Sequence, residues 1–318
     1  MAAREQTIAK DRFLAIVGPT AVGKSAVALQ LAEQLQGEII SVDSMQVYRG
    51  MDIGTAKPPA EDRQRAPHHL VDIIDLETTF DAAQFVRLAA EAVGEIRARG
   101  RLPVFCGGTG LYLKAFLEGL GRAPASDSSV RAELEKLSIE EMLRELALRD
   151  PETYERIDRQ NPRRVIRALE VIRVTGEPFS RQRSDWGKAD ARPGALIFGL
   201  KRNHADLQRR IDARVERMFG QGLVAETKEL LKAGLAENRT AAQALGYRQV
   251  IEHLRGARSL QETVALVKTR TRQFAKRQMT WFRRQLPVCW IQVEPGDTPE
   301  RLSAILKDLS ADHDSEDQ

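Results

Sequence analysis

Short apolar runs alternate with amphipathic segments over the first third of the chain. FLAIV at 13–17, EIISV at 38–42 and LPVFC at 102–106 are short and rich in β-branched or aromatic residues, as buried strands are. Between them, segments 26–35 and 81–100 repeat apolar residues at helical spacing. This alternation predicts parallel strands joined by crossover helices, in an α/β sheet that is covered on both faces.

The middle of the chain has no strand pattern. Residues 122–193 are charged with helical periodicity, and ALIFGL at 195–200 then returns to a strand pattern. We therefore predict a helical insertion over 122–193, in a core made of 1–121 and 194–310. Two consecutive domains are compatible with the same pattern. The acidic end, 311–318, is predicted to be disordered.

The part of the chain after this return strand is mainly helical in pattern. Glycine or proline follows most of the apolar-periodic segments, as expected at helix ends. The predicted elements are helices at 204–219, 223–233, 259–285 and 298–309 and a last strand at 288–293.

A phosphate-binding loop is predicted at GPTAVGKS, residues 18–25. Gly18, Gly23, Lys24 and Ser25 fit the pattern G-x-x-x-x-G-K-[ST], between a predicted strand and a predicted helix as the pattern requires. Glycines let backbone N–H groups converge on phosphate oxygens, Lys24 adds positive charge, and Ser25 is a candidate Mg²⁺ ligand. The fold class is therefore a P-loop NTPase-like parallel sheet with a helical insertion domain. The loop alone leaves open whether the phosphates are hydrolysed, transferred or held.

Two further strand ends carry candidate chemistry, because ligands bind at the carboxyl ends of parallel strands. Asp43 follows the second predicted strand and can accept a proton there, although a turn or cap is the alternative. The third strand runs into a turn at 107–110 instead of the aspartate of P-loop ATPases. Its Thr109 suits a phosphate or magnesium contact among small residues that admit a ligand, or simply caps a helix. Segment 48–58 is predicted to be a mobile lid or an exposed loop.

Composition and charge exclude some classes of protein. No apolar stretch approaches 18 residues and the first residues are polar, which argues against a membrane span and a secretory signal and favours the cytoplasm. Cys106 and Cys289 lack metal-ligand spacing. The formal charge of +4 hides a segment, 263–293, with seven lysines and arginines and no acidic residue, and an arginine cluster within 163–167. Such clusters are typical of nucleic-acid surfaces, although solvated helix faces share them.

Six stretches together resemble one enzyme family. They are GPTAVGKS, ISVDSMQVYRGMDIGTAKP, GGTGLYLKA, NPRRVIRALEV, LGYRQ and TRQFAKRQMTWFR, in family order from about residue 13 to 285. The chain is similar to the bacterial tRNA dimethylallyltransferases, a family of prenyltransferases. The resemblance implies transfer of the five-carbon group of dimethylallyl diphosphate to N6 of the tRNA adenosine 3′ of the anticodon. It further implies release of diphosphate in the presence of Mg²⁺, by a cytoplasmic monomer that does not bind membranes.

The resemblance also implies roles for individual residues. Asp43, Thr109 and Arg217 would be catalytic, with Asp43 as general base, and Ser25 and Thr109 would be metal ligands. The implied diphosphate-binding residues are Gly18, Thr20, Ala21, Val22, Gly23, Lys24 and Ser25. The implied contacts to the tRNA anticodon stem-loop are Asp43, Ser44, Met45, Gln46, Thr109, Arg131, Arg163, Arg164, Val165, Ile166, Arg167, Ala244, Leu245, Gly246, Tyr247, Arg248 and Gln249. A P-loop that holds a leaving group needs no strand-end aspartate for ATP hydrolysis.

Three arginines share one face of the predicted helix 204–219. Arg210, Arg214 and Arg217 follow helical spacing, away from the apolar positions of that helix. The resemblance favours a diphosphate contact for Arg217, which a planar guanidinium suits. For Arg210 and Arg214 we expect a solvated surface.

Other functions remain compatible with these residues. An enzyme that prenylates free adenine nucleotides would share the P-loop and Asp43. A small-molecule P-loop kinase would turn over ATP. A nucleotide-binding RNA chaperone would bind tRNA without modifying it.

Overall fold

A computed structural model of the chain describes residues 12–121, 123–182 and 195–316. Within these ranges, six parallel strands form one sheet. The strands are β1 (Phe13–Val17), β2 (Gly37–Val42), β3 (His68–His69), β4 (Leu102–Gly107), β5 (Ala195–Lys201) and β6 (Cys289–Gln292). Their order across the sheet is β3-β2-β4-β1-β5-β6.

Helices connect and cover these strands. In chain order they are α1 (Lys24–Gln34), α2 (Ala60–Arg65), α3 (Ala82–Ala98), α4 (Gly110–Glu118), α5 (Ser128–Leu134), α6 (Ile139–Arg149), α7 (Pro151–Arg156), α8 (Pro162–Thr175), α9 (His204–Gly220), α10 (Leu223–Lys232), α11 (Tyr247–Leu254), α12 (Leu260–Gln285) and α13 (Pro299–Glu316). None of the described helices is long and apolar enough to cross a membrane.

Strand β1 lies at the middle of the sheet and is buried along its whole length. It pairs with β4 and β5, so that Ile16 lies beside both Cys106 and Phe198. One face of the sheet packs against α1 and α13, where Ile16 and Leu306 join the same apolar cluster. β1 also contributes an aromatic contact, because the ring centroids of Phe13 and Phe105 are 5.0 Å apart. The continuous apolar runs of the sequence therefore correspond to strands buried on both faces.

The five predicted strands are confirmed, and the structure adds a sixth. β3 has only two residues, and it pairs with β2 where Ile39 lies beside His68. A strand of two histidines has no apolar periodicity from which it could be predicted. The short helices α2 and α11 were likewise not predicted.

The chain divides into two compact units, each with its own apolar cluster. The core unit consists of Met1–Phe116 and Arg192–Gln318, and the insertion unit is Leu117–Ala191. These limits lie close to the predicted 122–193, although residue 122 and residues 183–194 fall outside the described ranges.

Helices of the insertion unit begin at polar caps and pack through one apolar face. Asp127, Ser138, Asp150 and Asn161 each accept a backbone N–H at the start of a helix, which satisfies groups that the helix itself cannot pair. The core of the unit contains Leu134, Met142, Leu146, Val165, Ala168, Leu169 and Ile172.

The predicted disorder of 311–318 is wrong for the residues that the structure describes. Helix α13 runs to Glu316, while residues 317 and 318 lie outside the described ranges. Leu302 and Leu306 anchor this helix in the core, and the Ser310 hydroxyl donates to the Leu306 carbonyl. Once a helix is docked, each added polar residue gains a hydrogen bond without a new nucleation cost.

Candidate active site

The loop between β1 and α1 has the backbone of a phosphate cradle. Gly18 and Gly23 have φ values of 140° and 112°, and Ala21 has 64°. A Cβ at Gly18 would also lie 2.6 Å from the Leu200 carbonyl oxygen on β5. Glycine is required at 18 for both reasons, since other residues rarely adopt this conformation.

This loop presents N–H groups that the protein itself leaves unpaired. Within the described ranges, the N–H groups of Ala21, Gly23, Lys24 and Ser25 have no hydrogen-bond acceptor. They open a helix, where the first N–H groups cannot pair internally and carry partial positive charge. The loop is therefore arranged to bind an anion.

Lys24 supplies a positive charge to this cradle. Its ammonium donates to the Pro19 carbonyl oxygen at 2.8 Å, so that the side chain folds over its own loop. The pKa of Lys24 is lowered to about 8, mainly by burial and in part by Arg214 nearby, while Cys106 and Asp43 act in the opposite direction. An anion beside Lys24 would stabilise the charged form.

Asp43 follows β2 and combines the two predicted alternatives. Its Oδ1 accepts the N–H groups of Met45 at 2.8 Å and Gln46 at 3.3 Å, which is a turn of the Asx type. Its Oδ2 has no hydrogen-bond partner among the described residues. One oxygen therefore fixes the carboxylate, and the other is left for a ligand.

Thr109 directly precedes α4 and lies two residues after the end of β4. The N–H groups of Gly108 and Thr109 donate to the Val42 carbonyl oxygen, at 3.2 and 3.1 Å, and the Thr109 carbonyl accepts the N–H of Tyr112. β4 lies between β2 and β1 in the sheet. Asp43, Thr109 and the phosphate loop thus follow three adjacent strands, as the sequence predicted from their positions at strand ends.

The glycines around Thr109 make room for α12, which is not the reason predicted from the sequence. A Cβ at Gly108 would lie 2.2 Å from Nε2 of Gln278, and one at Gly110 would lie 2.1 Å from the ring of Trp281. Gln278 Nε2 donates to the Gly108 carbonyl at 3.0 Å, and its Oε1 accepts the Thr20 N–H at 2.9 Å. Gln278 lies in the family stretch TRQFAKRQMTWFR, but neither its residue type nor its position there indicated a role in the phosphate loop.

A cavity of about 1220 Å³ opens beside the phosphate loop. Its residues include Lys24 and Ser25 and the three arginines of α9, Arg210, Arg214 and Arg217. Apolar side chains form another part of its lining, the apolar wall. They include Ile53, Ala56, Pro58, Pro59 and Met218.

The solvated surface expected for Arg214 is wrong, because Arg214 is half-buried and lines the cavity. Arg210 is exposed as expected, but it also contacts the phosphate loop. Arg210 Nε donates to the Ala21 carbonyl of the phosphate loop at 3.0 Å. Burial, with neighbouring arginines, lowers the pKa values of both residues, yet a guanidinium stays charged. Ile211 and Val215 are buried on a different face of α9, while the three arginines line the cavity beside the loop. A concentration of cations of this kind favours an anionic ligand.

The segment predicted as a lid or exposed loop is anchored in the structure. Lys57 is buried, donates to the Tyr48 carbonyl at 2.8 Å and forms ion pairs with Asp52 and Asp72. The Glu226 carboxylate accepts the Ile53 N–H at 2.8 Å. These internal contacts make the segment a fixed wall of the cavity.

The comparison with known proteins agrees with this geometry. Residues 46–285 match the model of the family described as IPP transferase. The chain belongs to the IPP transferase family. The family predicted from the sequence is confirmed.

Relatives of this IPP transferase match along most of their length. The tRNA dimethylallyltransferase 2 of Geotalea uraniireducens strain Rf4 is 48% identical over 300 residues, which cover 93% of this chain and 95% of the relative. The tRNA dimethylallyltransferase of Geobacter metallireducens is 44% identical over 301 residues, covering 93% and 97%.

Solved structures of two relatives have the same fold. The tRNA isopentenylpyrophosphate transferase from Bacillus halodurans has a TM-score of 0.71 and 38% identity, covering 96% of this chain and 98% of the other. A eukaryotic dimethylallyltransferase, described in crystallographic snapshots as acting on tRNA, has a TM-score of 0.77 and 27% identity, covering 95% and 80%.

In the core unit of this IPP transferase, several residues predicted to contact tRNA are occupied internally. Gln46 accepts the Ser41 hydroxyl and donates to two carbonyls of the cavity wall. Tyr247 is 0% exposed and donates its hydroxyl to Glu226 at 2.6 Å. The side chains of Ala244, Tyr247 and Gln249 are buried, Ser44, Met45 and Leu245 are half-buried, and Arg248 is exposed.

The insertion unit gathers the other predicted tRNA contacts. Arg163 and Arg164 are exposed at the start of α8, whereas Val165 is in the apolar core of the unit and Ile166 packs against it. The side chain of Val165 is therefore not available to RNA in this structure. Helical geometry causes this, because one turn of α8 places neighbouring residues on opposite faces.

A buried carboxylate organises two more of these arginines. Glu170 is 0% exposed, and its Oε2 accepts Nη2 of Arg131 and Nη1 of Arg167, each at 2.9 Å. Burial raises the pKa of Glu170, but these hydrogen bonds outweigh burial and hold it below the usual value. The pairing fixes both guanidinium groups in half-buried positions.

Proposed function

We propose that the protein is a tRNA dimethylallyltransferase. It transfers the dimethylallyl group from dimethylallyl diphosphate to N6 of the adenosine 3′-adjacent to the anticodon, and releases diphosphate. One observation carries the proposal: a cationic phosphate cradle follows β1, and a carboxylate with an available oxygen follows β2, at the same edge of the sheet on either side of β4. Two relatives that match along most of their length are named tRNA dimethylallyltransferases, which supports the same reaction. We further propose that the enzyme acts on tRNA in the cytoplasm and that it does so as a monomer.

The donor would bind with its diphosphate on the loop and its hydrocarbon on the apolar wall. Unpaired N–H groups, Lys24 and the guanidinium groups of α9 meet the phosphate oxygens. Negative charge grows on the diphosphate as the allylic bond breaks, and fixed cations stabilise it most at that point. Arg217 would contact this leaving group.

The residues present fit Mg²⁺. Ser25 and Thr109 offer hydroxyl oxygens after neighbouring strands, while the described residues contain no cluster of three or more His, Cys, Asp or Glu. Such a sparse set suits a cation that keeps its waters and binds largely through phosphate oxygens. When bound, Mg²⁺ would neutralise charge on the departing diphosphate.

Asp43 would act on the adenine. The N6 amine is a weak nucleophile, because its lone pair is delocalised into the ring. Oδ2 of Asp43 can accept a hydrogen bond from N6 and take its proton as the C–N bond forms. Oδ1 stays fixed by Met45 and Gln46, so the carboxylate of Asp43 keeps its orientation. The adenine must leave its stack in the tRNA to reach this carboxylate.

A transfer assay separates this proposal from the alternatives. Purified protein is given labelled dimethylallyl diphosphate with tRNA or with AMP, and ATP hydrolysis is followed in parallel. We expect label in tRNA, far less in AMP, and no ATP turnover. Preferred labelling of AMP would indicate nucleotide prenylation, ATP turnover without labelling a kinase, and tRNA binding without labelling a chaperone.

The affinity for diphosphate should fall as pH rises above about 8. Lys24 binds an anion in its charged form, and its pKa of about 8 lies below the ordinary 10.5. The affinity for diphosphate is therefore highest where Lys24 is charged, below pH 8. It should decline above pH 8, by up to ~10-fold per pH unit. Calorimetric titration with inorganic diphosphate measures this. Lys24→Arg keeps its charge and should flatten the profile relative to wild type; identical profiles would contradict the assignment.

The RNA surface is tested at the exposed arginines of α8. Replacing Arg163 and Arg164 by alanine should weaken tRNA binding and lower the slope of log affinity against log salt by about 1 to 2, since each phosphate contact releases counterions. Filter binding across salt concentrations measures the slope. Arg156 and Arg159, which are exposed but pair with glutamates of their own helix region, provide a matched double-alanine control. An equal slope in both double variants would refute the placement.

The basic segment of α12 offers a second RNA surface. Lys268 pairs with Glu216 and Arg272 with Asp212, so two of its charges are partly neutralised. Phe274 is 38% exposed, with the Arg277 guanidinium 5.9 Å from its ring centroid. An exposed ring beside an arginine suits stacking of an unpaired base.

A further inference from the structure

We propose that Gln278 is a positioning residue that ties together the phosphate loop and the turn before α4, and so sets the geometry in which the donor reacts. This inference rests on the proposed function, because it treats both loops as parts of one donor site. Gln278 belongs to α12 and is only 8% exposed.

A single amide group joins the two loops. Its Oε1 accepts the Thr20 N–H at 2.9 Å, and its Nε2 donates to the Gly108 carbonyl at 3.0 Å. Thr20 lies after β1 and Gly108 after β4, and these strands are paired. The contact therefore links two loops that follow adjacent strands but are distant in sequence.

The Thr20 N–H has a different use from the one the sequence implied. The resemblance assigns Thr20 to diphosphate binding, but its N–H already donates to Gln278. The N–H groups from Ala21 to Ser25 that lack acceptors remain for the anion. By holding the first part of the loop, Gln278 would fix the direction in which those groups point.

Only an amide satisfies both loops at this position. Glutamate keeps an acceptor for Thr20 but loses the donor for Gly108, and brings negative charge toward the diphosphate. Methionine has similar size and leaves both loop groups unpaired. Gly108 is part of the device, because a Cβ there would lie 2.2 Å from Nε2.

Trp281 extends the same contact by one turn of α12. A Cβ at Gly110 would lie 2.1 Å from its ring, so α12 packs closely against the turn at both Gly108 and Gly110. The turn that carries Thr109 is therefore held from behind by one face of α12. Loss of the amide should loosen the position of Thr109 relative to Ala21 and Lys24, while the strands stay paired.

The test compares Gln278→Met and Gln278→Glu with a matched control, Gln261→Met. Gln261 is on the same helix but exposed, and it precedes the basic segment 263–293. Because buried loop groups lose their partners, we expect Gln278→Met to raise the KM for dimethylallyl diphosphate and lower kcat, each by ~10-fold or more. The KM for tRNA should change less than the KM for the donor, since the buried amide of Gln278 is not itself among the proposed tRNA contacts. Gln261→Met should leave all three parameters unchanged.

A second readout needs no reaction. Calorimetry with inorganic diphosphate should show affinity reduced by ~10-fold in both Gln278 variants, measured below their thermal midpoints. Wild-type diphosphate affinity in Gln278→Met and Gln278→Glu would overturn the inference, even if their thermal midpoints fall. An absence of transfer by wild-type protein would contradict the proposed function instead, and the diphosphate titration would still decide the role of Gln278.

Discussion

Replacement of Asp43 by asparagine should slow prenyl transfer by at least ~10²-fold, which is the lower range for loss of a general base. Asparagine keeps an oxygen that can accept the N–H groups of Met45 and Gln46, so the turn after β2 is preserved. It cannot take the N6 proton at neutral pH. The defect should therefore lie in kcat, with tRNA affinity close to that of wild type.

Single-turnover transfer with saturating tRNA measures this effect, and filter binding measures tRNA affinity. Asp43→Ala removes the turn acceptor as well as the base and should be at least as slow. The difference between the two variants reports the contribution of the turn. A wild-type rate in Asp43→Asn would exclude Asp43 as the base.

Replacement of Lys24 by alanine should lower kcat/KM for dimethylallyl diphosphate by ~10²-fold to 10³-fold, as for the loss of one group that stabilises developing negative charge. The charge of Lys24 lies at the start of α1, beside unpaired N–H groups. The other lysine that lines the cavity is not part of the phosphate loop. Lys57 also lines the cavity but is held by Asp52 and Asp72.

Steady-state kinetics with varied donor measure the loss. Lys232→Ala is a suitable control, because Lys232 is exposed in the core unit and pairs with Glu229. Its kinetics should match wild type. A Lys24→Ala enzyme with unchanged kcat/KM for the donor would remove the phosphate loop from the account.

Local sequence determines the parts of this structure that depend on local physics. Buried parallel strands such as β1 are continuous apolar runs, and the phosphate loop needs its glycines at fixed positions with positive φ. Asp43 and Thr109 were placed together correctly, because strand order alone brings strand ends to one edge of a sheet.

Tertiary packing decides the features that the sequence misjudged. Arg214 is expected to be solvent-exposed from its own helix, but it is half-buried and lines the cavity. Segment 48–58 has the glycines of a flexible loop, yet Glu226 and Tyr247 hold it from distant helices. Gln278 lies in a recognised family stretch, but its role depends on partners that are 258 and 170 residues away along the chain, so the stretch alone does not reveal it.

The proposed tRNA contacts show a further limit of motif transfer. A motif implies a run of residues, but a helix exposes only part of such a run. Val165 is buried, while Arg163 and Arg164, which precede it in the same turn, are exposed. Burial therefore selects, within the implied run, the residues whose side chains can reach RNA.

The central claim is that the phosphate loop holds a departing diphosphate while Asp43 prepares the adenine. The most direct measurement incubates tRNA, dimethylallyl diphosphate and Mg²⁺ with the enzyme and quantifies both products. Nucleoside mass spectrometry counts N6-dimethylallyladenosine, and an enzymatic assay counts diphosphate. The account predicts equal amounts of the two, with the modification at the adenosine after the anticodon and no nucleoside triphosphate consumed. Diphosphate release without modified adenosine, or dependence of the modification on ATP cleavage, would contradict it.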